Sequence, residues 1–313
     1  MSAAISDLSR VRDEAGEVLA VEALGGGLVE IAARLPHLAA QARPGEFAQL
    51  RCGAGIEPLL RRPFSVAWTD GERCGFVLEA VGVGTRILVA LRPGDPLQAL
   101  GPLGSGFSFE PTPARALVVS GGLGCAPFPL LIRELRRGGC PEVVVLNGAA
   151  TASRLYPADR FQRGDRGVVV AEATEDGSRG HHGLVTDLVA DRCDETTLVY
   201  GCGPNPMLAA LAEVLLCVPR PPLRAEVSLE APMGCGFGTC LGCALPVVAD
   251  PSSWAGGEPA MADGDGAAIR SGRGSSTGRR PAAWALCCRQ GPVMEVSRVA
   301  WPELLALPPA HIA

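Results

Sequence analysis

Three cysteines fall within nine residues, Cys235-GFGT-Cys240-LG-Cys243, and this C-x4-C-x2-C spacing constrains the chain more than any other feature. Thiolates so spaced, completed by a fourth from a distant segment, hold a plant-type 2Fe-2S cluster. Gly234, Gly236, Gly238 and Gly242 let the backbone close around an inorganic core and aim amides at its sulfurs at little steric cost. Zinc also accepts four thiolates, but zinc ribbons usually pair two C-x2-C knuckles. The fourth ligand is Cys287 or Cys288 in ALCCRQGPVMEV, and spacing alone does not choose, because adjacent residues point in different directions.

The remaining cysteines argue for the same chemistry by contrast. Of 12 in all, seven lie scattered at 52, 74, 125, 140, 193, 202 and 217, as small apolar core residues do. The other five fall after residue 234 in two tight groups, a pattern of metal binding in a reducing compartment and not of a disulfide scaffold. The first residues, MSAAISDLSRVRDEAG, have mixed charge and no continuous apolar core, so no secretory signal is read there and a cytoplasmic location is expected. Apolar residues make up 47% of the chain, yet no run approaches the ~20 residues that span a bilayer. A net charge of -5 gives no general attraction for nucleic acid or an anionic membrane.

A chain of 313 residues exceeds what one core usually serves, so two or three domains are expected. From about residue 15 to 109, short apolar runs such as GGLVEIAARLP, GEFAQLRC and GFVLEAVGVGT alternate with Gly, Pro and Asp, which predicts an antiparallel β-barrel over residues 1–110. The turn-rich LRPGDPLQALGPLGSGF, residues 91–107, is expected to close it. Over 111–222 the texture changes to βαβ: ARALVVSGG, the helix-like PFPLLIRELRRG, PEVVVLNG, then GVVVAEA and TTLVYGCG. This predicts a doubly wound parallel sheet ending near Pro222. Residues 223–313 form the small C-terminal 2Fe-2S domain, interrupted at about 249–283 by a segment rich in Gly, Ala, Ser, Pro and Arg that reads as a flexible insertion.

Two further motifs suit phosphate and nucleotide. Ser120-Gly121-Gly122-Leu123-Gly124 ends a strand and leads into a helix, where backbone approaches a pyrophosphate and the helix dipole favours the anion. Cys202-Gly203-Pro204 ends another strand on the same sheet edge. Arg61-Arg62-Pro63-Phe64-Ser65 offers guanidinium forks and a hydroxyl to phosphate oxygens. No acid–base pair or nucleophile–base arrangement emerges, and His181 and His182 read as solvated loop residues. That pattern fits an enzyme whose cofactors carry the chemistry.

Taken in order, RRPFS, GVGT, GPLGSGF, SGGLGCAP, TEDGSRGHHGLVTDL, YGCGPNPML, EAPMGCGFGTCLGC and CRQGPVM resemble the electron-transfer subunit of NAD-dependent dihydroorotate dehydrogenase, a ferredoxin-reductase-like flavoprotein family, over almost the whole chain. The resemblance implies FAD bound by Arg62, Pro63, Phe64 and Ser65, by the turn at Gly84 and Thr85, and by the strand Val77, Leu78, Glu79, where relatives often carry an aromatic and a basic residue. It implies NAD at Gly121, Gly122 and Gly124, with Cys202, Gly203 and Pro204 facing the flavin and nicotinamide rings. It aligns Cys288 as the fourth cluster ligand beside Cys235, Cys240 and Cys243, because Cys288-Arg289-Gln290-Gly291-Pro292-Val293 fits the family's C-x-x-G-P-V ending. The 44 residues between Cys243 and Cys288 exceed the loop of relatives.

The function so implied, in pyrimidine biosynthesis, is to take electrons from the FMN of a dihydroorotate dehydrogenase catalytic subunit and pass them through 2Fe-2S and FAD to NAD, in a heterotetramer of two of each subunit. No side chain is assigned as catalytic. No acidic group follows the second strand at Asn147-Gly148-Ala149-Ala150 to hold a ribose, and Arg154 keeps NADP in view. The rival enzyme reading is a reductase subunit of a hydrogenase, a sulfur-reducing complex or a ferredoxin:NADP transhydrogenase; some of those relatives use Asp as first cluster ligand, where this chain has Cys235. The non-enzymatic rival is a zinc module on a protein-binding scaffold.

Overall fold

The alternation read in the first third of the sequence becomes a seven-stranded antiparallel sheet. In the computed structural model, which describes residues 7–53, 55–248 and 283–307, its strands are β1 (Arg12–Gly25), β2 (Leu28–Arg34), β3 (Phe47–Leu50), β4 (Arg62–Ser65), β5 (Trp68–Asp70), β6 (Arg73–Glu79) and β7 (Pro96–Leu103), in the order β4-β3-β7-β1-β2-β6-β5. Only Val66 and Ala67 join the outermost strands β4 and β5, so the sheet curls until its edges meet. One face of each strand fills the interior with Val18, Ile31, Leu50, Phe76, Leu78 and Leu97. Helix α1 (Pro36–Gln41) adds Leu38, and α2 (Val83–Val89) adds Leu88. The turn-rich stretch 91–107 contains β7, which pairs with both β1 and β3; its central position in the ladder outweighs its Pro and Gly.

The second sheet is built from β8 (Arg115–Gly121), β9 (Glu142–Ala149), β10 (Val168–Thr174), the exposed two-residue edge strand β11 (His181–His182), β12 (Thr197–Cys202) and β13 (Arg224–Ser228), all parallel. Helices α3 (Phe128–Arg137), α4 (Ala158–Gln162) and α5 (Asn205–Cys217) connect its strands. This sheet does not end near Pro222. β13 pairs with β12, and a strand from close to the C-terminus, β16 (Val293–Glu295), adds an antiparallel edge. Both extensions are short, and Arg224, Glu226 and Glu295 interrupt their apolar pattern, so periodicity does not reveal them. The remaining elements are the hairpin β14 (Ala244–Val247) and β15 (Ala283–Leu286), the turn of helix α6 (Cys287–Gln290) and α7 (Trp301–Leu305). The insertion read at 249–283 lies outside the described residues except for Ala283, the first residue of β15.

Arginines of the α/β sheet lock the curled sheet in place. Arg133 donates to the Thr69 carbonyl and hydroxyl, Arg154 pairs with Glu79 at 2.9 and 3.2 Å, and Arg160 pairs with Glu22 and with Glu30 at 3.3 Å. Arg163 lies over the Trp68 ring, 5.3 Å from its centroid. Burial pushes the Glu30 carboxyl up, and Arg160 opposes that shift.

Asp194, in the turn before β12, accepts the hydroxyls of Thr196 and Thr197 and the Thr196 amide, which hold its carboxyl at about 2. A carboxyl depressed on folding adds stability above its unfolded value, and that contribution is lost as pH falls from about 4 toward about 2. The Asp194→Asn protein is therefore expected to lose less Tm than wild type over that interval, measured by circular dichroism melts.

Candidate functional site

A cavity of about 490 Å³ opens where the curled sheet, the α/β sheet and the segment leading to the cysteines meet. Its walls are Arg62, Pro63, Phe64 and Ser65 along β4, Val77 on β6, Leu123 and Gly124 in the turn after β8, Cys202 at the end of β12, and the run Ser228–Gly234. Cys240 and Gly242 border it, so cysteine loop and groove are continuous. Of the Val77-Leu78-Glu79 strand, only Val77 faces the cavity. Successive side chains on a strand point to opposite faces, so Leu78 fills the barrel core, and Glu79 is taken by Arg154.

A second recess lies beside the first, lined by Glu57, Pro58, Val81, Gly82, Val83 and two cations, Arg62 and Arg86. Gly84 sits beneath Arg62: a methyl group there would lie 3.3 Å from its Cγ and Nε and 3.0 Å from Cys52 Sγ. The Thr85 hydroxyl is spent locally, accepting the Gly82 amide at 2.9 Å to close the first turn of α2. Arg61 faces away, in a bidentate pair with Asp13 at 2.8 Å. Of the two arginines in the sequence motif, Arg62 is the one facing the recess.

Across the cavity, the turn after β8 and the loop after β12 pack backbone to backbone. A methyl group on Gly124 would lie 2.1 Å from the Cys202 carbonyl oxygen and 2.6 Å from the Gly203 amide nitrogen; on Gly121 it would meet Met207 Sδ at 2.3 Å. Gly122 adopts φ +55 beside open space. The structure thus brings together the Gly121–Gly124 turn after β8 and Cys202-Gly203-Pro204 after β12, four strands on in sequence but adjacent in the sheet. Burial pushes the Cys202 thiol up to about 12, with Glu230 adding to the rise, so it is an inert wall residue.

The cysteine loop follows directly. Cys235 Sγ accepts the amides of Thr239 at 3.3 Å and Cys240 at 3.4 Å. Burial alone would raise this thiol, but the amides of Cys240, Phe237 and Thr239 outweigh it and bring it to about 7. Cys243 and Cys288 lie Sγ to Sγ at 3.2 Å, and the Cys288 amide points at Cys243 Sγ at 3.5 Å. A hydrogen bond from the Cys288 thiol lowers Cys243 to about 6 and raises Cys288. Cys287 points elsewhere, toward the Leu229 carbonyl at 3.7 Å, and is fully buried with its thiol pushed well up.

Among the described residues no three His, Cys, Asp or Glu side chains converge to hold a single metal ion. The thiols fit a two-iron cluster better, since that group spreads four thiolates over two irons. Cys243 and Cys288 are already paired, Cys235 gathers amides, and exposed Cys240 is flanked by Gly234 and Gly242, whose missing side chains leave its sulfur free. Sequence reasoning missed Phe47, Leu60, Arg86 and the run Ser228–Met233 as wall residues. For the last, position just before the cysteines was a usable signal; the others are ordinary residues of a strand, a loop and a helix.

No protein-family model matches the chain. The dihydroorotate dehydrogenase B (NAD(+)) electron transfer subunit of Bacillus caldolyticus is 40% identical over 209 residues, 66% of this chain and 78% of that protein. The subunit of the same description from Desulforamulus reducens is 36% identical over 244 residues, 77% and 90% of the two chains. Among solved structures, an NADH-dependent reduced ferredoxin-NADP oxidoreductase superposes with a TM-score of 0.72 at 24% identity, over 93% of this chain and 91% of that one. The ferredoxin reductase of carbazole 1,9a-dioxygenase gives 0.58 at 22%, over 67% of each chain. These two likenesses bear on the fold, which is that of ferredoxin-reductase-like flavoproteins, whereas the curated relatives cover enough of both chains at high enough identity to place the sequence. The chain belongs to the family of dihydroorotate dehydrogenase B (NAD(+)) electron transfer subunits.

Proposed function

We propose that this chain is the electron-transfer subunit of an NAD-linked dihydroorotate dehydrogenase in pyrimidine biosynthesis, an oxidoreductase subunit holding FAD in the groove and a 2Fe-2S cluster on Cys235, Cys240, Cys243 and Cys288. The observation that carries the reading is the continuity of three regions: the β4 arginine–serine strand, the glycine turn after β8, and the cysteine loop all border one cavity. The bound groups supply the redox chemistry, FAD exchanging hydride with nicotinamide and single electrons with the iron–sulfur centre.

The chain's own residues bind and orient. Arg62 and Arg86 supply the positive charge of the second recess and suit the FAD pyrophosphate, while Ser65 offers a hydroxyl and Pro63, Phe64 and Val77 an apolar wall. Gly84 admits the Arg62 stem, and Thr85 shapes the turn rather than reaching for ligand. Leu78 and Glu79 act structurally in this reading. Gly121, Gly122 and Gly124 receive the nicotinamide nucleotide, with Cys202, Gly203 and Pro204 closing its far side. NAD is favoured over NADP because Arg154, the arginine nearest the end of β9, is neutralised by Glu79. No proton relay is assigned.

The domain reading is a FAD-binding barrel over 1–110, a NAD-binding α/β unit over 111–222, and a cluster-bearing remainder that lends β13 and β16 to the second sheet. An electron transfer subunit requires a catalytic partner; we propose an FMN-containing one, two copies of each chain, in the cytoplasm. No helix among the described residues is long and apolar enough to cross a membrane. Anaerobic co-purification with the catalytic subunit is expected to yield a complex that forms NADH from dihydroorotate. A chain that instead reduces ferredoxin from NADPH, and ignores that subunit, belongs to a different complex.

A further inference from the structure

Gln49, in β3, is wholly buried, and neither its amide nitrogen nor its amide oxygen has a hydrogen-bond partner. Buried amides are almost always satisfied, and an orphan calls for an explanation such as a bound group. The strand pleat fixes which way it faces: Ala48 and Leu50 fill the barrel core, whereas Phe47 joins the core shared with the cysteine-bearing segment. Gln49 lies on the same side as Phe47.

There it meets the cysteine loop. A methyl group on Gly236 would lie 2.7 Å from Gln49 Cγ and 2.9 Å from its Nε2, so the loop immediately after Cys235 rests on the Gln49 side chain. Gly236 holds φ +82, a conformation that favours glycine and lets the chain turn at that contact. Gln49 is also the ladder partner of Pro63, within the β4 segment assigned to FAD. One residue therefore touches the cysteine loop and belongs to the strand pair that borders the flavin groove.

We infer that Gln49 is a positioning residue for the iron–sulfur centre: with the cluster bound, its amide donates a hydrogen bond at the Cys235–Gly236 turn and so raises the cluster's reduction potential. The inference rests on the cluster reading above. Donors near the sulfurs stabilise the reduced, more negative form, so removing one lowers the potential.

The test is an EPR-monitored redox titration of the full chain carrying both cofactors, with FAD and iron measured in each preparation. Gln49→Met keeps length and packing but has no donor; Gln49→Glu keeps shape and adds charge. Both are expected to retain FAD and to shift the oxidised-to-reduced ratio at fixed potential about tenfold toward oxidised, roughly 59 mV for a one-electron couple. Loss of the cluster with FAD retained also supports the role. A titration of either variant that superimposes on wild type overturns it, and if Gln49→Met fails to fold, Gln49→Glu decides. Wild-type protein lacking any 2Fe-2S signal overturns the cluster reading itself.

Discussion

Cys288→Ser is expected to abolish the 2Fe-2S absorption and EPR signals while leaving FAD bound, and Cys287→Ser to leave both in place. The two residues are neighbours in one turn of helix yet have opposite environments. Cys288 Sγ is 3.2 Å from Cys243 Sγ, while the Cys287 thiol turns to the Leu229 carbonyl and only its backbone amide reaches the loop, at the Cys243 carbonyl. A serine at 288 removes a thiolate from the set of four, and outer-shell changes alone typically cost 10–100-fold, so transfer from dihydroorotate to NAD should fall by roughly 100-fold or more. Reduction of an artificial acceptor by NADH, which needs only FAD, is expected to stay within about twofold of wild type. Cys287→Ser replaces a buried sulfur by a hydroxyl near a carbonyl and should cost about 1–2 kcal/mol of stability without touching either activity.

Gly124→Ala is the second large effect, and it acts on the opposite wall. The added methyl group would sit 2.1 Å from the Cys202 oxygen, 2.4 Å from its carbonyl carbon and 2.6 Å from the Gly203 nitrogen. All three are backbone atoms, so no side chain can swing aside and the two loops must part. Overpacking of this kind costs about 1–3 kcal/mol, and a displacement near 1 Å at the turn proposed to align the nicotinamide with the flavin costs about a hundredfold in rate. NADH:ferricyanide activity should fall by that order with FAD content unchanged, as read from the flavin absorbance. Gly122→Ala, at φ +55 with nothing within 4 Å, tests the alternative that any substitution in this turn is harmful. It carries only the backbone penalty of about 1–2 kcal/mol and should keep most activity.

What could be read from the sequence follows from how local each signal is. The cysteine spacing and the glycine turn after β8 are local constraints, and the apolar alternation of β1, β2 and β6 reports a ladder made with close neighbours. β13 and β16 pair across 60 residues or more of intervening chain, through strands of five and three residues, and such short pairings leave no periodic trace. The distinction between Cys287 and Cys288 is one of side-chain direction, which residue spacing does not encode. Arg154 and Glu79 were each legible as polar residues near a nucleotide site, yet they satisfy each other across the two sheets. Gln49 carries no sequence signal, because one glutamine in a strand is remarkable only once its burial and the absent partners are known.

The proposed function requires FAD and a 2Fe-2S cluster to share one cavity wall in one chain. An anaerobic titration of the purified chain with NADH, followed by absorbance and EPR, tests this directly. It should bleach the flavin and, within the same titration, generate the EPR signal of a reduced 2Fe-2S cluster with two irons and one FAD per chain. A colourless protein containing zinc, or a flavin that reduces while the iron remains silent, would contradict it.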